Sequence, residues 1–432
     1  MNKYFFLNLS IFIITLSGSL FIVNMEMLRK DGKLVIKLNK YFFLNLSIFI
    51  ITLSGSLFIV NMEMQNALEF LGYGIFLSII FIHYRRICYG YKKKYLNRTV
   101  FILGILFALG ILVQSLTWMT KFSLIFTMIV IVFSAIIFEG FLISFKDIRN
   151  LSYAILYGVV ISFVLAICTG IGLFDGSEGT LGFNGGILFK NYFGSDVLAV
   201  FIGLFLNAKY GCKYRLDKYV MAVCVILIFL SMSKGAIMLF FFFLFAFSLD
   251  KVRKIKREQR NKILFIIAVV VMISSVFFYV NYAMNIDTYM YRIRGLLNYL
   301  DYYEEHIYYM VFGSAEMAYE KDVPYVDAIR STVGWDGTLE FAWLNILIKN
   351  GLLGVVGYII IFIRSYNVMF FKTNDWSLRT PCFAITTICM LSSFVEPYIQ
   401  SIHAVFGVYC YLIMASLCGI IHCSRTSLFA RL

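Results

Sequence analysis

Long apolar runs follow one another from one end of the chain to the other, each closed by a short cluster of basic or small residues. Crossing a bilayer takes about 20 apolar residues. Runs of that order stand near 42–60, 66–83, 99–118, 122–145, 151–173, 192–207, 219–232, 236–249, 263–280, 341–363, 381–397 and 403–421. The pattern predicts an all-α polytopic membrane protein of about twelve transmembrane helices, with no stretch left over for a separate soluble domain. Residues 39–280 hold the first nine spans, 281–339 form one long extracytoplasmic loop, and 340–432 hold the last three and a cytoplasmic tail.

One stretch is ambiguous by length. Residues 219–249 are apolar except for Ser231-Met232-Ser233-Lys234-Gly235. As one helix they would be roughly 46 Å long at 1.5 Å per residue, against a hydrocarbon core of about 30 Å. Two short helices turning at Lys234 fit better and place a lysine at membrane depth. Within the long loop, Ile293, Leu296, Leu297 and Leu300 have amphipathic helical spacing, with Arg294, Asn298 and Asp301 on the other face. Such a helix is expected to lie along the outer membrane surface.

Residues 2–27 return unchanged at 39–64. An identical copy is no fold repeat, since repeat architectures show weak symmetry spread along the chain. Two identical segments joined by one basic linker want the same orientation, while successive spans must alternate, so one copy is frustrated. Residues 1–38 therefore read as a duplicated hydrophobic segment and linker, an artefact or a signal-anchor, and a thirteenth span where it inserts. Nothing in the first copy resembles an A-x-A cleavage site.

Composition agrees with the pattern. The 432 residues are 61% hydrophobic and 14% charged, with 3 prolines, which excludes a soluble enzyme. The net charge of +14 points to topology and not to nucleic acid, because Lys and Arg gather in alternate short loops (Arg85 to Arg98, Lys146 and Arg149, Lys209 to Lys218, Lys251 to Lys262, Arg364 to Arg379). By the positive-inside rule these loops and both termini are cytoplasmic. The 281–339 loop, with nine acidic residues, then lies outside. The nine cysteines are scattered, without C-x-x-C or a Cys/His cluster, so neither a disulfide framework nor a metal site is indicated, and no cofactor is expected.

Ionisable residues inside spans default to functional hypotheses. They are Glu69, Glu139, Asp196, Lys234, Lys349 and Glu396, with Glu340 at a span entrance. Glu69 and Glu139 are better explained by snorkelling or structural pairing. Lys234 near the outer leaflet would meet a phosphate headgroup as a point charge, or simply reach the interface. Arg292 and Arg294 add cations suited to pyrophosphate or carboxylate, or form a solvated pair in an acidic loop. The segment Gly182-Phe183-Asn184-Gly185-Gly186, leading to Lys190-Asn191-Tyr192-Phe193-Gly194, reads as a tight outer loop offering backbone N–H groups and Asn side chains to polyhydroxylated or anionic ligands. Glu396-Pro397 and His403 end and restart the last two spans at the same face.

Three of these segments, in this order, resemble the bacterial O-antigen ligase and oligosaccharide repeat-unit polymerase superfamily. They are the G-F-N…K-N-Y-F-G loop at 182–194, the S-x-S-K-G turn at 231–235, and Trp335 to Glu340 leading to Gly351-Leu352-Leu353-Gly354. Arg292 to Leu297 and Val311-Phe312-Gly313-Ser314-Ala315 stand where that family has R-x-x-x-[LW] and a G-x-G-like element; the resemblance covers roughly residues 150–421. It implies metal-independent glycosyl transfer at the outer face of the cytoplasmic membrane, with polyprenyl-diphosphate-linked oligosaccharide as donor. In that scheme Lys234, Arg292 and Arg294 hold the diphosphate. Glu340 and Asp336 are candidate bases, one turn apart where the following helix extends to include them. Lys190, Asn191 and Glu396 complete the substrate-binding set.

The resemblance implies membrane lipid, a flippase and chain-length regulators as partners. Ligases present a His about eleven residues before G-L-x-G, where this chain has Glu340, so polymerase is favoured over ligase; Lys234 in place of Arg offers only a compact charge. A lipid-linked oligosaccharide flippase is the alternative from another class. Against it stands the lack of a half-to-half repeat and of paired interrupted spans.

Overall fold

The computed structural model describes residues 25–30, 33–38, 41–89, 93–141, 144–176, 181–252, 259, 273, 287–315, 333, 341–373 and 375–429. They are mostly α-helical. Strands β1 (Met25–Lys30) and β2 (Lys33–Leu38) pair antiparallel. The helices that follow are α1 (Phe42–Ser54), α2 (Leu57–Asn61), α3 (Gln65–Tyr89), α4 (Lys93–Leu112), α5 (Trp118–Ala135) and α6 (Phe145–Thr169). A 3-10 turn at Ile137–Gly140 precedes α6. Strands β3 (Phe174–Asp175) and β4 (Gly182–Phe183) form a second short hairpin. Then come α7 (Lys190–Tyr210), α8 (Arg215–Leu230), α9 (Lys234–Val252), α10 (Asp287–Glu305), α11 (Ile307–Phe312), α12 (Ala342–Phe371), α13 (Trp376–Val395) and α14 (Val405–Phe429).

Helices correspond to the predicted apolar runs except 263–280, which lies outside the described residues. Among the described residues, five segments are long and apolar enough to cross a membrane: Trp118–Ala135, Phe145–Thr169, Lys190–Tyr210, Ala342–Phe371 and Val405–His422. These are the helices of a membrane-embedded protein. Shorter apolar helices stand at Phe42–Ser54, Arg98–Leu112, Lys234–Ser248 and Leu378–Phe394. The run 42–60, expected as one span, is two helices parted at Gly55-Ser56. The run 219–249 breaks where its sequence indicated, at Ser231–Ser233, with Met232 at φ 52°.

The chain divides into two compact units that interleave along the sequence: residues 1–86 with 144–233, and residues 87–143 with 234–432. In the first, α6 is capped by Ser144, whose hydroxyl accepts from the Asp147 N–H, and ends at Gly170 in a left-handed turn, φ 70°. Helix α1 lies on α6 at a close approach, since a Cβ at Gly158 would stand 2.6 Å from Thr52 Cβ. The α6–α8 corner is pinned by a buried ion pair. Arg149 donates to both oxygens of Asp217, at 2.7 and 2.8 Å, and Tyr153 O–H adds a third bond at 2.8 Å. The guanidinium also lies over the rings of Tyr153 and Tyr214.

In the second unit α12, α13 and α14 pack together, with α4 and α11 against α12 and α5 against α14. Helix α10 forms where an amphipathic helix was predicted, but the side it buries is tyrosine. Tyr299 and Tyr303 pack on Leu344, Leu347 and Ile348 of α12, while Leu297 and Leu300 stay exposed. The tyrosine edge thus ties the helix to α12.

Candidate functional site

The glycine-rich loop of the first unit is built on its own strain. After the β3–β4 hairpin the chain turns at Gly185 and Gly186, both left-handed at φ 57° and 80°. A Cβ at Gly186 would meet the Ser162 carbonyl at 2.5 Å, so only glycine fits. The loop is stitched to the α1–α2 break: Leu57 N–H donates to Gly186 O at 2.8 Å and Leu188 N–H to Gly55 O at 2.9 Å. This seat explains why 42–60 is not one helix. Asn184 does not present its amide outward, contrary to expectation. It is buried, and its Oδ1 accepts the Gly186 N–H at 3.3 Å.

Ser231, which opens the S-x-S-K-G motif, lies directly on this loop. A Cβ at Gly182 would collide with the Ser231 carbonyl and stand 2.9 Å from Lys190 Cδ. Inside the turn Ser233 N–H donates to Ser231 Oγ at 3.2 Å. Lys190 opens α7 with its N–H on Asp175 Oδ2 at 3.2 Å; it is only 1% exposed, while Asn191 is half-buried. Two segments fifty residues apart, singled out separately in the sequence, therefore form one structure.

Lys234 is the first residue of α9, in the second unit, and is exposed. A helix N-terminus already carries partial positive charge, so a lysine there gains nothing from its own helix and leaves an anion-seeking end. Arg294 is exposed on α10. Arg292 lies two residues earlier on that helix, with its side chain outside the described residues. Asp336 and Glu340 lie outside the described residues. Helix α12 starts at Ala342, after Phe341 in extended conformation, so it does not itself extend outward to include these two acids. Glu396 is half-buried and extended, φ −145°, at the corner between α13 and α14; His403, nearby, is exposed.

The G-L-L-G segment is a break in the middle of α12. Gly351 takes φ 62° and ψ −168°, and a Cβ there would collide with the Val311 carbonyl. The V-F-G-S-A element plugs the gap: Ser314 N–H donates to Ile348 O at 2.7 Å, and Gly313 turns at φ 91°. Gln114, from the end of α4, ties the two together. Its amide donates to Phe312 O at 2.7 Å and Lys349 O at 3.0 Å, also reaching Gly110 O, and its Oε1 accepts the Ala315 N–H at 2.8 Å. Gly354 lacks the Cβ that would strike Asn350, whose buried carboxamide lies over the first turn after the break and has no hydrogen-bond partner among the described residues. Gln114 was missed in the sequence, where the only signal was one amide in an apolar run.

Tyr303, beside the plug, is within reach of Ser314 Oγ at 3.5 Å. Burial pushes its phenol well up, so it stays neutral and is no base. Glu139 is 1% exposed and is paired with Arg364, with His422 Nε2 3.4 Å from its other oxygen; structural pairing is what the sequence suggested for it. Glu69 is buried too and accepts from Gln65 at 3.1 Å.

No protein-family model matches the chain, and no curated protein matches it.

Proposed function

We propose that this protein polymerises polyprenyl-diphosphate-linked oligosaccharide repeat units, into capsular or O-antigen-type polysaccharide, at the outer face of the cytoplasmic membrane. The observation that carries the reading is the pairing of motifs. The glycine loop at 182–194 packs on the 231–233 turn, and the 311–315 element plugs the 351–354 break. Segments chosen for their likeness to one enzyme superfamily thus meet in the fold two by two, which chance resemblance among apolar runs gives no reason to expect.

In this reading the chain crosses the membrane about twelve times with both termini inside. Lys234 and Arg294, both exposed, attract the diphosphate and stabilise the charge it gains as the reducing-end sugar leaves. Glu340 or Asp336 takes the proton of the attacking sugar hydroxyl. The test is the state of lipid-linked glycan in cells lacking the gene, resolved by chain length and membrane side. Single repeat units gathering outside are expected, and long chains stranded on lipid would mark a ligase instead. Lys234→Ala and Arg294→Ala should each abolish chain extension at unchanged protein level; normal polymer from both would remove the assigned diphosphate site.

One observation favours a second reading, a flippase for the same lipid-linked substrate. Helix α12 is interrupted in mid-course at Gly351, and broken membrane helices are a mark of transporters. Repeat units trapped at the inner face would decide for it.

A further inference from the structure

The first unit contains an acid that the polymerase reading leaves unused. Asp196 stands in the second turn of α7, a helix long and apolar enough to cross a membrane, and is 5% exposed. The other buried acids among the described residues are all engaged. Glu139 has Arg364, Asp217 has Arg149 and Tyr153, Glu69 has Gln65, and Asp147 meets Tyr41. Asp196 meets no hydrogen-bond donor and no cation among the described residues.

Its surroundings offer neither. Helix α7 packs between α6 and α8. Phe145 stacks on Tyr210 and Arg149 bridges to Asp217, so the charged starts of α6 (Lys146, Asp147, Arg149) and α8 (Arg215, Asp217, Lys218) gather at the far end of α7, where Lys209 also lies. That end is about 20 Å from Asp196 at 1.5 Å per residue. In the half of each neighbour away from those charged starts, α6 buries Gly158 (against α1), Val159, Ile161, Ser162 and Leu165, and α8 buries Cys224 and Ile228; Cys224 is the one titratable group in that set. At the near end, Lys190 lies six residues back, about 240° around the helix, and Asp175 receives its N–H.

An ionised carboxylate without a partner is very costly in such a place. It can be relieved by a metal cation or by a proton. A hard cation needs several oxygen ligands, whereas the residues following Asp196 are Val197, Leu198, Ala199 and Val200, and the Ser195 hydroxyl is committed to Tyr192 O at 2.9 Å. We propose that Asp196 is a proton-binding site inside the membrane, a carboxylic acid that is neutral at neutral pH and has a proton, and no other cation, as its ligand. This does not depend on the polymerase reading.

The test uses the full-length protein in detergent micelles treated with N,N′-dicyclohexylcarbodiimide, an apolar reagent that adds to neutral carboxyls, with the modified peptides mapped by mass spectrometry. Asp196 should be modified at neutral pH, less so as pH rises, and equally in sodium or potassium chloride. Glu139, more deeply buried but paired with Arg364, should stay unmodified. The proton itself is read independently of reagent access by infrared spectroscopy: the neutral-acid carbonyl band should be present in the parent protein and missing from the isosteric Asp196→Asn. A band difference supports the proposal even where the reagent is shut out. Identical infrared spectra, or protection of Asp196 by sodium or potassium, would overturn it.

Discussion

Replacing Gln114 by Leu removes one side chain of similar volume and strands three backbone groups. The Phe312 and Lys349 carbonyls and the Ala315 N–H all bond to its amide. A buried polar group left without a partner costs about 1–3 kcal/mol, and leucine supplies none. Allowing one of the three to find another bond by relaxation, the loss is about 2–6 kcal/mol. For a cooperative unit of some 250 residues each kcal/mol moves the melting midpoint by about 2 °C, so a fall of about 4 °C or more is expected. The assay is the loss of the monodisperse peak in size-exclusion chromatography of detergent-solubilised protein after heating. Ser78→Ala, which removes an exposed hydroxyl bonded only within its own turn, serves as a control and should melt within about 1 °C of the parent, as exposed substitutions cost about 0.5 kcal/mol or less. Coincident melting of Gln114→Leu and the parent would mean that the 311–315 element is not held on α12 by this amide.

Three further outcomes follow from the same geometry. Gly351→Ala places a Cβ on a left-handed residue and against the Val311 carbonyl; destabilisation of about 2 kcal/mol or more is expected, read by the same melting assay. Gly182→Ala drives a methyl into the Ser231 carbonyl and should cost about 1–3 kcal/mol by overpacking, and in a polymerising strain it should also lower polymer yield. Asp217→Ala strands Arg149, whose side chain is 16% exposed. Breaking such a buried pair costs about 3–5 kcal/mol, so the variant should melt well below Arg149→Lys, which keeps a charge on Asp217.

The helices were readable in the sequence because a lipid solvent demands long apolar runs, and the break at Ser231–Ser233 because the run was too long for a bilayer. What the pattern could not give was which side of each helix is buried. In water a polar face marks the outside, but in lipid both faces are apolar and periodicity falls silent. Helix α10 shows the same difficulty, since the buried Tyr299 and Tyr303 are no more apolar than the exposed Leu297 and Leu300. The α1–α2 break was invisible for a different reason. Gly55-Ser56 is an ordinary pair until Leu188 and Gly186, some 130 residues away, bond to its neighbourhood. The site was legible as motifs but not as contacts: glycines at 182, 186 and 351 announce close approach, and only the fold says what approaches.

The exact duplication turns the N-terminus into an internal control on how far local sequence decides structure. Met-Glu-Met occurs at 25–27 and again at 62–64. The first copy is strand, paired with Ile36 to Leu38; the second is a turn in which Glu63 takes φ 58°. Chain length hardly discriminates between them, because closing the loop to Ile187 from the second copy or the first differs by only about 0.2 kcal/mol. What comes next in the chain therefore makes the difference: the tripeptide at 62–64 runs straight into α3, and the one at 25–27 into Leu28-Arg29-Lys30 and a hairpin. In these two identical tripeptides the downstream neighbour casts the vote.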